Sequence, residues 1–184
     1  LNAGQTCVAP DYVLLPKAKK DEFISEYQKA VAAFYPNGTL DDSPAIVNAR
    51  HFERLQNLMK ASNLVFGGEC DEPSRRIAPA VACPVSWDEP LMCEEIFGPI
   101  LPVLTYENWD DAIRALQSRD RPLALYVFSE SRAHVRDAHA RLRFGGGCVN
   151  DTIVHLSTNA LPFGGVGESG MARFYVVNVG KGDV

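Results

Sequence analysis

The alternation of hydrophobic and polar positions predicts strands and helices that follow one another along the chain. Apolar residues that recur every three or four positions indicate helices, which we place at 19–34, 45–61, 108–118 and 131–142. Short apolar runs rich in β-branched or aromatic residues indicate strands, which we place at 11–15, 64–66, 77–85, 100–106, 123–128 and 148–150. Strands that alternate with helices form a largely parallel sheet covered on both faces. The pattern therefore predicts one α/β domain, with 148–150 as its last strand.

The composition narrows the class of protein without indicating an activity. Of the 184 residues, 46% are hydrophobic and 22% are charged, values typical of a soluble globular chain that can bury a core. No apolar run approaches the roughly 18 residues of a membrane-spanning helix. The net charge of −5 gives no basic face, so we expect neither nucleic acid nor an anionic membrane as a partner.

The cysteines indicate a reducing compartment. They are odd in number and lack the CxxC spacing of a metal or redox motif, and the four histidines add no ligand pattern, so we predict no metal site. Free thiols are typical of cytoplasmic proteins, and the first residues show no charged region followed by an apolar one, so we expect a cytoplasmic protein without a signal peptide. Because the chain opens at Leu1 instead of Met, we expect a fragment of a longer protein. The cysteines are Cys7, Cys70, Cys83, Cys93 and Cys148.

A glycine-rich stretch near the C-terminus contains a literal GxGxxG, from Gly165 to Gly170. A dinucleotide fingerprint needs a strand before it and an acidic residue about 20 positions downstream. Only 14 residues follow Gly170, so we interpret the stretch as a tight loop whose glycines permit close backbone approach.

Cys7 follows the small and polar residues at 2–6. A lone cysteine is more often a small buried hydrophobe than a nucleophile. Two features favour a functional role: the small neighbours leave room for a ligand, and the strand predicted just afterwards puts the thiol in a turn at a sheet end. Both interpretations stay open on these residues alone.

Two adjacent carboxylates, Glu94 and Glu95, precede Phe97 and a tight turn. The simpler interpretation is a solvated acidic pair at the start of a strand. Alternatively, one carboxylate accepts hydrogen bonds from sugar hydroxyls while Phe97 packs against a ring. Their spacing does not decide between the two.

The segments 2–7, 94–99 and 162–165 together resemble aldehyde dehydrogenases in their order and separation. The segments 7–12, 49–52 and 149–152 are similar to the class 3 branch of that family, which includes bacterial coniferyl aldehyde dehydrogenases. The resemblance covers residues 1–171, nearly the whole chain. It implies the three-layer catalytic domain of the family over that range, followed by an atypical tail at 172–184.

The resemblance implies oxidation of an aldehyde to a carboxylic acid with NAD or NADP, through a cysteine thiohemiacetal and thioester. A coniferyl-type aromatic aldehyde is one candidate substrate. Cys7 matches the family's nucleophile, Glu95 the carboxylate that binds the nicotinamide ribose, and Phe97 its aromatic neighbour. Asn150 falls in the loop that supports the site. The positions that line the aldehyde pocket are matched by Thr6, Ile153, Leu156 and Phe163.

Departures from the family affect activity and assembly. The family's general base, its oxyanion asparagine and its dinucleotide-binding domain all precede the nucleophile, so we expect this chain by itself to be inactive. After Met171 the sequence leaves the family pattern, and Tyr175 stands where a histidine is expected. The family's homo-oligomer is therefore uncertain here. The alternative function is a non-catalytic binding or interaction module that retains the catalytic-domain fold.

Overall fold

The computed structural model describes residues 1–157, 163–171 and 175–178, the last four as backbone only. The chain divides into two compact units, Leu1–Glu107 and Asn108–Val184. Each unit contains parallel strands and helices, so the predicted α/β class is confirmed. The boundary predicted between residues 171 and 172 stays a prediction.

The first unit is built on a four-stranded sheet in the order β1-β6-β5-β2. Strands β1, β6 and β5 run parallel, β2 pairs antiparallel with β5, and β3 and β4 form a separate hairpin. The strands of this unit are β1 (Val13–Pro16), β2 (Leu64–Phe66), β3 (Cys70–Asp71), β4 (Arg76–Ile77), β5 (Ala80–Ala82) and β6 (Ile100–Tyr106), and its helices are α1 (Lys20–Phe34) and α2 (Ala49–Lys60).

The central strands β5 and β6 are buried on both faces, which produces three layers. Val81 and Val103 pack in one core cluster with residues of α1, while Ala80, Ala82 and Ile100 pack in another with α2. Successive side chains of a strand point to opposite faces, so a continuous apolar run needs a helix on each side. This explains why the prediction for 100–106 matches β6 at both ends.

Helix α2 begins four residues later than predicted. The side chain of Asn48 accepts a hydrogen bond from the backbone N–H of His51 at 2.9 Å, which is the geometry of an N-cap. Ile46 is buried although it precedes the helix. Its apolar side chain fits the helical spacing, which is why the sequence predicts an earlier start.

The second unit contains a three-stranded parallel sheet with β8 between β7 and β11. The prediction that 148–150 forms the last strand is wrong, because three short strands follow it. Phe128, predicted at the end of a buried strand, lies beyond β7 and is exposed. The elements are α3 (Trp109–Gln117), β7 (Ala124–Val127), α4 (Arg132–Arg141), β8 (Gly146–Val149), β9 (Val166–Gly167), β10 (Gly170–Met171) and β11 (Tyr175–Asn178).

The glycine-rich stretch forms a hairpin instead of a dinucleotide-binding turn. Strands β9 and β10 pair antiparallel, with Glu168 and Ser169 between them. A Cβ atom on Gly165 would overlap the side chain of Ser169. The tight-loop interpretation is therefore confirmed for residues 163–171, while Pro162 lies outside the described residues.

Leu55 tests how far the first unit depends on the packing of α2. Its side chain is completely buried, so we expect Leu55→Ala to lower the free energy of unfolding by about 2–5 kcal/mol through lost transfer energy and a residual cavity. Urea unfolding followed by circular dichroism measures the loss. The control is Phe34→Ala, because the Phe34 side chain is 80% exposed and its removal should change the free energy of unfolding by no more than about 0.5 kcal/mol. Equal losses in the two variants would contradict the burial of Leu55 between α2 and the sheet.

Candidate active site

A tight loop carries Cys7 at the entrance to β1. Its backbone closes on itself through hydrogen bonds of 2.9 Å from Thr6 N to Gly4 O and from Ala9 N to Thr6 O. Ala3 and Val8 are buried on either side of the exposed Cys7. The loop therefore anchors its apolar residues inward and leaves the thiol open to solvent.

The side chain of Gln5 ties this loop to the segment that leads into α2. Its Nε2 donates to the carbonyl of Ala45 at 3.1 Å, and its Oε1 accepts from the backbone N–H of Val47 at 2.9 Å. Because the side-chain amide uses both its donor and its acceptor, it fixes the position and the orientation of the Cys7 loop relative to that segment.

The backbone N–H of Cys7 donates no hydrogen bond to any described residue, in contrast to the N–H groups of Gly4, Gln5, Thr6 and Ala9. Its thiol likewise has no hydrogen-bond partner in the described part of the chain, while the thiols of the two other exposed cysteines, Cys70 and Cys93, each donate to a backbone carbonyl at 3.4 Å. An exposed thiol beside an unused N–H is the pairing that acyl-transfer chemistry requires, since the N–H can receive the oxyanion formed by thiol addition.

The second predicted segment lies next to the Cys7 loop. A Cβ atom on Gly4 would overlap the carbonyl oxygen of Gly98, so only glycine at position 4, where φ is +73°, permits this approach. Both segments precede neighbouring parallel strands, because Val13 of β1 pairs with Val103 of β6. The site therefore lies at the amino ends of these strands, whereas ligands of open α/β sheets usually bind at the carboxyl ends.

The two carboxylates lie in an irregular segment before β6 and do not begin a strand. Residues 93–99 are irregular, β6 starts only at Ile100, and Phe97 adopts a left-handed φ of +49° with its ring 39% exposed. The Glu94 carboxylate forms an ion pair with Arg54, between Oε1 and Nη1 at 3.1 Å. The Glu95 carboxylate has no hydrogen bond or ion pair among the described residues, which makes it the carboxylate available to a ligand.

The second unit contains the other predicted residues. The Asn150 side chain holds the end of β7: its Oδ1 accepts from Ser129 N at 2.8 Å and its Nδ2 donates to Ser129 O at 3.2 Å. Ile153 has a φ of +66°, a strained conformation for a β-branched residue. Leu156 and Phe163 are both exposed. Asn150 thus supports the start of the loop that presents apolar side chains.

Three of the other four thiols are less suited to act as nucleophiles. Cys83 and Cys148 are buried, and burial raises the pKa of both. Cys148 lies 3.4 Å from Nδ1 of the buried His155, whose pKa burial lowers, so burial favours the uncharged form of both groups. Desolvation also raises the pKa of Cys70. Because the thiolate is the reactive form, these three thiols are disfavoured.

Two residues of the site were not predicted as site residues from the sequence. Asp11 accepts a hydrogen bond from the backbone N–H of Ile96, and Arg54 contacts Glu94 and the backbone of Glu95. Their partners lie 40 or more positions away, so no local pattern indicates them. The sole local signal is that Asp11 belongs to a segment resembling class 3 enzymes.

Comparison with known proteins defines the class of protein. The pattern of the "Aldehyde dehydrogenase family" matches residues 1–180, and this chain belongs to that family. The chain is 47% identical over 179 residues to the 4,4'-diaponeurosporen-aldehyde dehydrogenase of Staphylococcus aureus, covering 95% of this chain and 39% of that protein. It is 46% identical to rat aldehyde dehydrogenase family 3 member B1, covering 95% and 38%.

The fold agrees with a solved structure described as the substrate-bound state of Staphylococcus aureus AldH. The TM-score is 0.89 at 46% identity, over 94% of this chain and 39% of that one. The chain therefore spans about two fifths of the length of these relatives. No helix in the described ranges has the length and apolar character needed to cross a membrane.

The order of thiol modification tests the assignment of Cys7. With limiting iodoacetamide, we expect Cys7 to be alkylated first, because it is exposed and its thiol has no acceptor among the described residues. Cys83 and Cys148 should react last. Mass spectrometry of peptides after short labelling measures the order, and full labelling in denaturant serves as the control. Faster labelling of Cys70 or Cys93 would overturn the assignment.

Proposed function

We propose that this chain forms the nucleophile-bearing part of an NAD- or NADP-dependent aldehyde dehydrogenase that oxidises an aldehyde to a carboxylic acid. The observation that carries the proposal is an exposed Cys7 with an unused backbone N–H, on a loop packed against the turn that follows Glu95 and Phe97. Family membership supports the reaction class.

The residues present fit a nicotinamide cofactor. The unpaired carboxylate of Glu95 is suited to accept hydrogen bonds from two neighbouring ribose hydroxyls. The exposed ring of Phe97 offers an apolar surface to a planar group. NAD or NADP, when bound there, supplies the acceptor for the hydride that leaves the substrate carbon. The choice between the two cofactors does not follow from these residues.

Cys7 provides the covalent step. Its thiolate adds to the aldehyde carbon, the carbonyl π electrons move to oxygen, and the backbone N–H of Cys7 stabilises that oxyanion. When the oxyanion reforms the carbonyl, the carbon–hydrogen bond breaks and a thioester to Cys7 remains. Water then cleaves the thioester, which releases the carboxylic acid and restores the thiol. From the resemblance, the base that activates this water belongs to the part of the family that precedes the nucleophile.

The proposed substrate is a small-molecule aldehyde with an apolar body. Ile153, Leu156 and Phe163 offer aliphatic and aromatic side chains with no charged group, and Thr6 flanks the nucleophile. The 4,4'-diaponeurosporen-aldehyde in the name of the S. aureus relative and a coniferyl-type aldehyde are two candidates for this class. We further propose a cytoplasmic enzyme that needs no nucleic acid, membrane or metal partner.

A chimaera tests the function and the role of Cys7. Residues 1–171 replace the matching segment of the S. aureus relative, and production of NADH or NADPH is measured with a series of aldehydes. We expect turnover in the chimaera and at least about a thousandfold loss in Cys7→Ala, since the covalent step disappears. The exposed Cys93→Ala is the control and should retain activity. The 184-residue chain by itself is expected to show no steady-state turnover; an inactive chimaera would favour a non-catalytic module.

The two adjacent carboxylates are distinguished in the same chimaera. Glu95→Gln should slow hydride transfer at least about tenfold more than Glu94→Gln does, because the Glu95 carboxylate is free whereas Glu94 is paired with Arg54. Single-turnover formation of NADH measures the step, and the deuterated aldehyde shows whether hydride transfer limits it. Equal effects of the two substitutions would show that Glu95 lacks the proposed contact.

A further inference from the structure

We propose that Asp11 and Arg54 are positioning residues that grip the Glu95–Ile96 peptide group from both sides and thereby orient Glu95 and Phe97 toward the cofactor. This inference rests on the proposed function, and it gives a role to two residues that the sequence analysis did not assign to the site.

Arg54 donates hydrogen bonds to the backbone carbonyls of Glu95 and Ile96. From α2, its Nη1 donates to the carbonyl of Glu95 at 3.3 Å and to the Glu94 carboxylate at 3.1 Å, while its Nη2 donates to the carbonyl of Ile96. The planar guanidinium fixes these donors relative to one another, which an ammonium group does not. The Nε of Arg54 is buried without a partner in the described residues. An unsatisfied buried donor is unfavourable. The contacts of Arg54 to Glu94, Glu95 and Ile96 must offset this cost, so they determine where the side chain lies.

Asp11 contacts the N–H group of the same Glu95–Ile96 peptide. Its Oδ1 accepts from the backbone N–H of Ile96 at 2.9 Å, so the N–H and the C=O of the Glu95–Ile96 peptide are both engaged. The two ends of a planar peptide point in opposite directions. Contacts at both ends fix the rotation of the peptide, which a single contact leaves free.

Ionised Asp11 is unfavourable for the fold. Burial raises the pKa of Asp11, the negative charge of Glu95 raises it further, and the Ile96 N–H and the Arg54 charge lower it in part. A raised carboxyl pKa stabilises the folded state fully below the ordinary pKa, and this contribution is lost as pH rises through the raised value. At neutral pH the charge of Asp11 therefore does not stabilise the fold, which favours a positioning role.

The peptide held by Asp11 and Arg54 belongs to a buried residue that lies between two exposed ones. Ile96 is buried, while the flanking Glu95 and Phe97 are exposed. The left-handed backbone of Phe97 follows directly after the carbonyl that Arg54 holds. Release of the peptide would let Glu95 and Phe97 reorient together.

The first test uses the 184-residue chain and is independent of activity. Amide hydrogen exchange by NMR should speed up at Ile96 by about tenfold, relative to Val103 in β6, in two variants: Asp11→Ala removes the acceptor of the Ile96 N–H, and Arg54→Lys weakens the contacts to the carbonyls of Glu95 and Ile96 on either side of it. Asp11→Asn retains an acceptor oxygen and should leave the rate within about threefold. Arg50→Ala, one turn away on α2, is the matched control and should change nothing. Unchanged exchange at Ile96 in Asp11→Ala and Arg54→Lys would overturn the proposal.

The second test separates positioning from a structural role. In the chimaera, Asp11→Ala and Arg54→Lys should raise KM for the dinucleotide about tenfold with KM for the aldehyde unchanged, and Asp11→Asn should restore the wild-type value. A loss of kcat alone, with both KM values unchanged, would reflect fewer folded molecules and would overturn the proposal. If the wild-type chimaera is inactive, the proposed function fails, and the exchange rates alone decide whether Asp11 and Arg54 hold the segment.

Discussion

The parallel pairing of β1 with β6 is the constraint on which the candidate site depends. Val13 lies opposite Val103, so the chain entering β1 and the chain entering β6 arrive at the same edge of the sheet, although almost ninety residues separate them. The segment that leads into β1 carries Cys7 and Asp11, and the segment that leads into β6 carries Glu95 and Phe97. A shift in this register would carry the nucleophile away from its neighbouring carboxylate. The buried alternation along β6, with α1 on one face and α2 on the other, makes such a shift unfavourable.

The sequence predicted those features that depend on local periodicity. The bounds of β6 and the extent of α1 follow from apolar spacing, and the tight loop of the glycine-rich stretch follows from glycine chemistry. The start of α2 was missed, because the buried Ile46 before the cap imitates helical spacing. The strands after Asn150 were missed because two of them are only two residues long and carry too few side chains for a pattern.

The candidate site was only partly predictable, for a different physical reason. The resemblance selected Cys7, Glu95 and Phe97, but it gave no reason why Glu95 is available and Glu94 is not. That reason is the Arg54 guanidinium, which acts across a sequence separation of 40 residues. Hydrogen bonds from side chains to distant backbone atoms leave no periodicity, and the hydrogen bond between Asp11 and Ile96 spans 85 residues.

Backbone strain and hydrogen bonding converge on the same segments. Within the described residues, the non-glycine positions of positive φ are Asn2, Ala3, Arg75, Phe97, Asn150 and Ile153, and in the first unit all but Arg75 fall in the segments that carry Cys7 and Glu95. Left-handed backbone is unfavourable for such residues and persists where the surroundings determine it strongly. Gln5 Nε2 donates to the carbonyl of Asn2, Arg54 Nη2 donates to the carbonyl of Ile96 just before Phe97, and Asn150 Oδ1 accepts from the backbone N–H of Ser129. At Asn2 and at Phe97 the left-handed backbone is thus next to a carbonyl that a side chain engages. Because such a contact restricts the peptide beside the turn, it favours a fixed position for the two segments that carry Cys7 and Glu95.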